Sequence, residues 1–497
     1  MIKYDTVVIG SGLGGLISGF ILSKEGMNVC VLEQHSKIGG NLQTFSRDGC
    51  IFDTGMHYIG SMSEGQYLHK YFKYFELTDK LRLKQLDIDG YDTITFDDDA
   101  TEYKMSQGYE NFIAQLLSYF PEERNGLERY TNRLKAVVKN FPLYDLTQVE
   151  AFTIDVALLE QCAMSLLNDV TDNERMKNVL AGAFSLYAGH PESTPLYIHA
   201  CTRDSLINSS WRPIDGSQQI ADLLAGGIRK YGGTVLTSSR VKKFDISSEK
   251  ADAVILENGE KIFADNFISN AHPVSTLNMI GEGKIKKIYR KRIIGLENTW
   301  GAFSLYVILK KDSFPYLNRN FFHYNATGIL GAIDNEEHWP DNYYFYTPAT
   351  SNTDTYTESI VVLADMKFEE VSQWLGTKVN KRGESYESFK KRKAEKLLDT
   401  LEKRLPGIRE KIVKYYTSTP LTFRDYTGTE GGSAYGIMKN CNDPLRSIIL
   451  PRTKISNLFF TGQNMNLHGI LGVAASAVIT CSEIVGLKYL TKKIADG

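Results

Sequence analysis

The sequence is poor in cysteine, nearly without net charge and short of long hydrophobic runs. Six cysteines occur in 497 residues, at positions 30, 50, 162, 201, 441 and 481. None forms a CxxC pair, and none lies beside histidine at zinc-ligand spacing. No structural metal site is expected, and no metal ligand is assigned. The pattern suits a reducing compartment, with cysteine serving as a small apolar residue. A net charge of −2 gives no electrostatic case for nucleic-acid binding. The longest apolar stretch, Ile470 to Leu487, is only about the minimal length of a membrane span and carries Glu483. It follows a glycine-rich turn, so a buried helix is expected. The opening MIKYDTVVIG enters a strand pattern with no cleavage site behind it, and a cytoplasmic location is the expectation.

What is present is a βαβ grammar. Residues 4–9 read as a buried strand, Leu13 to Glu25 as a helix, and Asn28 to Leu32 as a second strand. Between the first strand and the helix lies Gly10-Ser11-Gly12-Leu13-Gly14-Gly15, which matches GxGxxG. Gly10 allows the tight turn, Gly12 lets backbone approach a pyrophosphate, and Gly15 lets helix and strand pack closely. The helix N-terminus offers free N–H groups to phosphate. Glu33 ends the second strand and can accept hydrogen bonds from ribose hydroxyls, which favours FAD or NAD over NADP.

FAD is preferred because Gly39-Gly40-Asn41 follows soon after. A second close backbone approach there suits a longer, extended ligand. Thr461-Gly462-Gln463 ends a distant strand, and Gly469 and Gly472 open an alanine-rich helix that can face a flavin ring. No second GxGxxG occurs. NAD(P)H docking transiently at the flavin and a separate electron carrier are both open as reductant. Further along, residues 109–140 read as helices broken by Pro121, and residues 155–190 as helical. Strands are expected at Val235–Val241, Ala253–Leu256, Asn266–Ser269, Phe303–Leu309, Ile360–Ala364 and Asn457–Phe460, with a charged helix over 384–405.

With these residues in view, the chain resembles the phytoene desaturase and carotenoid isomerase branch of the flavin amine oxidase superfamily. LEQHSKIGG, FDTGMHYIG (52–60), TPLTFRDY (419–426), GGSAYG (431–436) and FFTGQN (459–464) carry the likeness. Gln463, where many relatives have an acidic residue, favours the retinol saturase group. Three departures stand out. Pro213-Ile214-Asp215-Gly216 replaces a Pro-x-Gly-Gly motif, Asn41 replaces a basic residue, and His468 lies where relatives vary.

The resemblance implies an α/β fold: a discontinuous Rossmann-type FAD-binding domain of the amine-oxidase (GR2) kind, with an interwoven α+β substrate domain. The expected division is 1–75, 205–285 and 420–497 for FAD, and 76–204 with 286–419 for substrate. The implied cofactor residues are Gly10, Gly12, Leu13, Gly14, Gly15, Glu33, Gln34, Gly40, Asn41, Leu42, Val241, Gly462, Gln463, Leu471, Gly472 and Val473. The implied activity is oxidoreduction at C=C bonds of a hydrophobic polyene or isoprenoid lipid, as a saturase-like reductase or as a desaturase or isomerase. A flavin-free lipid- or prenyl-protein-binding protein of the GDI type is the reading from another class.

His57, Tyr58 and His468 are the candidate proton donors, with anchoring or pocket-lining roles as the alternative. Tyr71-Phe72, Tyr74-Phe75 and Tyr343–Tyr346 are candidate tunnel walls, or simply core. Residues 155–167 are a candidate tunnel mouth, or a core helix. A lipid-soluble substrate makes peripheral contact with the inner face of a membrane an expectation as well.

Overall fold

The computed structural model describes residues 3–141, 143, 144, 146, 155–325, 328, 329, 339–352 and 355–496. Its first sheet is built from apolar runs that only a sheet covered on both faces can hide. Val7, Val8 and Val29–Leu32 are essentially fully buried. Strands Thr234–Leu236, Val29–Leu32, Lys3–Ile9 and Lys261–Ser269 lie side by side and parallel. Leu458–Phe460 joins the end of Lys261–Ser269, also parallel. Lys250–Leu256 and Val241–Ser247 continue the sheet antiparallel. The helix Leu13–Lys24 is buried along nearly its whole length, between this sheet and the helices Gln218–Lys230 and Gly469–Val485.

The second sheet runs Ile412–Ser418, Gly301–Leu309, Ser359–Met366, Asn342–Tyr346, Asn320–Tyr324, Asp92–Phe96 and Asp99–Met105. Its strands are antiparallel except where Asn320–Tyr324 meets Asp92–Phe96. Period-two alternation gives each face its own core. Phe303, Leu305, Tyr343 and Phe345 pack against the helix Glu384–Arg404 through Leu397 and Leu401. Tyr306, Tyr344 and Tyr346 point into the main core shared with the first sheet. The fold is α/β, a Rossmann-type dinucleotide domain interwoven with a second domain.

Several expectations change. The strand expected over Val235–Val241 is two strands, Thr234–Leu236 and Val241–Ser247. Ser238 sits between them at φ +52°, and Ser238 and Ser239 donate their N–H groups to the carbonyls of His35 and Glu33. Those bonds fold the connection back onto the second strand's end. The cysteine reading is also corrected. Cys30, Cys50, Cys201 and Cys481 are buried and free, but Cys162 and Cys441 form a disulfide across 279 residues of chain. Such a bridge acts chiefly by restricting the unfolded chain, and spacing along the sequence carries no sign of it.

The apolar stretch Ile470–Leu487 falls mostly in the helix Gly469–Val485, whose residues 471–481 are all buried. Among the described residues no helix is long and apolar enough to cross a membrane.

Candidate functional site

A cavity of about 630 Å³ follows the carboxyl ends of the first sheet's strands. That is where open α/β sheets bind ligands. The glycine loop forms its floor. A methyl group on Gly15 would stand 2.0 Å from the Gly10 carbonyl oxygen, so the helix rests directly on the turn. A methyl on Gly14 would meet Gly462 Cα at 2.8 Å. The C-terminal turn therefore packs on the N-terminal one, and the two distant motifs make one site. Gly39 N–H donates to the Ser11 carbonyl at 3.0 Å, which brings the third glycine segment alongside.

Glu33 closes the loop from beside. It accepts from Ser11 N–H at 2.9 Å, from Ser11 Oγ at 2.5 Å and from His35 N–H at 2.8 Å. A carboxylate has about four acceptor positions, so one is left for a ligand hydroxyl. Asn41 Oδ1 is buried with no partner on the short helical turn Gly40–Leu42. An orphaned acceptor at the floor of a glycine-lined groove fits a polar ligand held there. The residues present thus fit a dinucleotide such as FAD, with Glu33 and Val241 at one end and the start of the helix Gly469–Val485 at the other.

At that second end the wall becomes aromatic and apolar, with Met56, His57, Tyr58, Leu186 and Tyr435. His57 Nδ1 shares a hydrogen bond with Tyr346 Oη at 2.6 Å. Burial, helped by the nearby Arg212 charge, pushes the His57 imidazole down to about 3, so the ring is neutral at physiological pH. Tyr58 donates to Asp92 Oδ2 at 3.1 Å. Burial and the Asp92 charge push the Tyr58 phenol well above its ordinary value. Burial pushes Asp92 up to about 6, against the hydrogen bond from Asn320 and the charges of Arg203 and Arg212. Asn320 donates to Asp92 Oδ1 at 2.8 Å and accepts from Arg212 and from Tyr344. Arg212, fully buried, also donates to the Thr347 carbonyl at 2.8 Å.

Twelve of the cofactor residues expected from the sequence line the cavity: Gly10, Gly12, Leu13, Gly14, Glu33, Gln34, Gly40, Asn41, Leu42, Val241, Gln463 and Val473. Four do not. Gly15 lies under Gly10, Gly462 behind Gly14, Gly472 against Leu467, and Leu471 is in the core. His468 caps the helix Gly469–Val485 but is not part of the lining. It packs beside Tyr435, and neither of its ring nitrogens has a partner. The tyrosine and phenylalanine clusters at 71–75 and 343–346 are core residues, of which only Tyr344 and Tyr346 approach the site, through His57. The helices Val156–Leu159 and Ala163–Val170 bury Leu158, Leu159, Leu166 and Leu167, which is the core reading.

Sequence reasoning missed Lys439. Its Nζ donates to the carbonyls of Ser447 and Asn464, and burial pushes it down to about 7. It thereby holds the segment next to Gln463.

Asp215, where the family motif has glycine, adopts φ +61° and offsets that strain with an ion pair to Arg82 and a bond from Ser351 N–H. Nearby, Asp53 accepts from Ser217 N–H at 2.7 Å and Ser217 Oγ at 2.6 Å, fixing the 213–217 turn to the cavity wall. Burial pushes Asp53 up to about 6, against those bonds and Arg212. The folded chain then keeps a proton that the unfolded chain releases. This contribution is complete below about pH 4 and is lost as pH rises through about 6. Asp53→Asn should remove about 2 kcal/mol of the stability lost between about pH 4 and pH 7. Urea midpoints at the two pH values check this; an unchanged difference would contradict it.

Comparison with known proteins agrees with this geometry. Human all-trans-retinol 13,14-reductase is 26% identical, covering 97% of this chain and 86% of that protein. A chloroplastic prolycopene isomerase from an Oncidium hybrid cultivar is 25% identical, covering 99% and 85%. The structure of an oxidoreductase from Methanosarcina mazei superposes with a TM-score of 0.66 at 17% identity, over 95% of this chain and 98% of that one. The flavin-containing amine oxidoreductase family matches residues 13–293, so the chain belongs to that family and is an oxidoreductase.

Proposed function

We propose that this chain is an FAD-dependent oxidoreductase acting on a C=C bond of a hydrophobic polyene or isoprenoid lipid, as a retinol-saturase-like reductase. The observation that carries the reading is the continuity of one cavity from a dinucleotide cradle to the apolar, aromatic wall of Met56, His57, Tyr58, Leu186 and Tyr435. The similarity to retinol 13,14-reductases supports the choice of substrate class. In the proposed division, residues 1–75, 205–285 and 420–497 bind FAD, and 76–204 and 286–419 bind substrate.

Bound FAD would supply or accept the hydride. Gly10, Gly12, Gly14 and Gly40 would hold its phosphates, Glu33 a ribose, and Gln463 and Val473 the ring. The remaining chemistry belongs to side chains of this chain. Aromatic and aliphatic walls exclude water and orient a flat polyene. Tyr58 keeps a proton at Oη across the neutral range, and Asp92, which accepts that hydroxyl's hydrogen bond when ionised, returns a proton to Tyr58 from its protonated form, populated as pH falls through about 6. His57, being neutral, serves as a hydrogen-bonding support. His468 lies outside the lining and is a weaker candidate. The reductant is proposed as NAD(P)H docking transiently or as a separate carrier.

A desaturase or isomerase is the second reading, supported by the likeness to prolycopene isomerase over 99% of this chain and 85% of that protein. Anaerobic assays separate the two. Reduced protein is offered all-trans-retinol, and oxidised protein is offered phytoene. Saturation of retinol supports the reductase, whereas new double bonds in phytoene, with retinol untouched, would replace it with the desaturase.

A further inference from the structure

We infer that the helix Lys287–Ile294, with the adjoining segment 444–450, is a docking face for an anionic lipid surface. Residues 284–292 read KIKKIYRKR, six basic residues in nine. Among the described residues none of the six is paired with a carboxylate. Arg290 and Arg292 are used internally. Arg290 donates to the Leu277 carbonyl and Asn278 Oδ1, and Arg292 to the carbonyls of Arg446 and Ile448. Lys284, Lys286, Lys287 and Lys291 are exposed. At about 100° per residue, Lys287, Ile288, Lys291 and Ile294 fall on one outward face of the helix.

Exposed apolar side chains accompany the lysines. Ile288 is 79% and Ile294 50% exposed, and Leu445 and Leu450 on the adjoining segment are 61% and 57% exposed. Single exposed aliphatics are ordinary. Four of them on two segments hydrogen-bonded to each other, amid exposed lysines that pair with no carboxylate, are not. The combination matches an interfacial surface, in which basic groups meet lipid phosphates and aliphatic tips enter the acyl boundary. Exposed isoleucines have no use against a phosphate backbone, where aromatic stacking would be expected. The basic helix also adjoins a helix that lines the cavity. Asn278 and Met279 of the helix Pro273–Ile280 line it, and Arg290 bonds to Asn278.

The inference goes beyond the polyene reading, because vesicle binding is measured without turnover and either can fail alone. The test is co-sedimentation of the whole flavin-loaded protein with vesicles. One set is phosphatidylcholine; the other holds about a third phosphatidylserine. Binding to the second set only, weakened by salt, is expected. A Lys286→Ala, Lys287→Ala, Lys291→Ala variant should bind about a hundredfold more weakly, from about fivefold per charge. Ile288→Asp should also bind more weakly, with unchanged flavin content and circular dichroism in both. Equal binding to neutral vesicles, no binding to either set, or variants that bind like the wild type would overturn the inference.

Discussion

Replacing Gly12 by valine is expected to give folded but colourless protein. Gly12 has φ −62° and ψ 172°, a conformation open to any residue, so the backbone does not forbid the change. The added Cβ would meet the Asn270 Nδ2 atom at 2.7 Å, the end of a side chain that can turn away. What cannot move is the cradle. Gly12 lines the cavity floor and pairs with Gly39 on the neighbouring loop. Branched methyl groups there occupy the space where a pyrophosphate needs backbone contact. FAD binding should weaken by at least about a hundredfold, or roughly 2.7 kcal/mol. Visible absorbance of purified protein, with thermal unfolding as the control for folding, reads the result. Stoichiometric FAD in Gly12→Val would refute the phosphate assignment. A wild type that stays colourless after reconstitution would instead favour a flavin-free binding protein.

The second large effect is expected from Tyr58→Phe. Tyr58 is the cavity-lining hydroxyl with a buried acid behind it, and its phenol stays protonated at neutral pH. Loss of a positioned proton donor typically costs about 10²–10⁴-fold in rate. A drop of that size in kcat is predicted, with flavin content unchanged and KM close to wild type. His57→Gln should cost much less, because burial keeps His57 uncharged and a glutamine amide can also bond to Tyr346. A Tyr58→Phe rate within about twofold of wild type would remove Tyr58 from the chemistry.

The cofactor half of the site was legible because its signals are local. Gly10 to Gly15, Glu33 and Gly39-Gly40 lie within about thirty residues of chain, and each motif implies a backbone geometry that the structure contains. Gln463 could be found because its glycine turn precedes a helix. The reacting end was only half legible. His57 and Tyr58 stood out beside a glycine turn. Their partners Asp92, Arg212 and Asn320 did not, because they come from three strands far apart in sequence. Each looks like an ordinary strand residue until the second sheet and the short strand Ser210–Pro213 come together beside the cavity. The Cys162–Cys441 bridge and Lys439 were hidden for the same reason. The tyrosine-rich strand Asn342–Tyr346 left both readings, tunnel wall and core, open because composition does not say which face a residue takes. Alternation sends Tyr343 and Phe345 to the other core.

The most direct test of the central claim is a single anaerobic turnover of the reduced protein with all-trans-retinol, following flavin and polyene absorbance together. The account predicts that flavin reoxidises as one double bond of the polyene is lost per flavin, and that the product is retinol with two added hydrogens. Flavin that stays reduced while retinol remains intact would contradict it, as would loss of retinol double bonds with no change in the flavin.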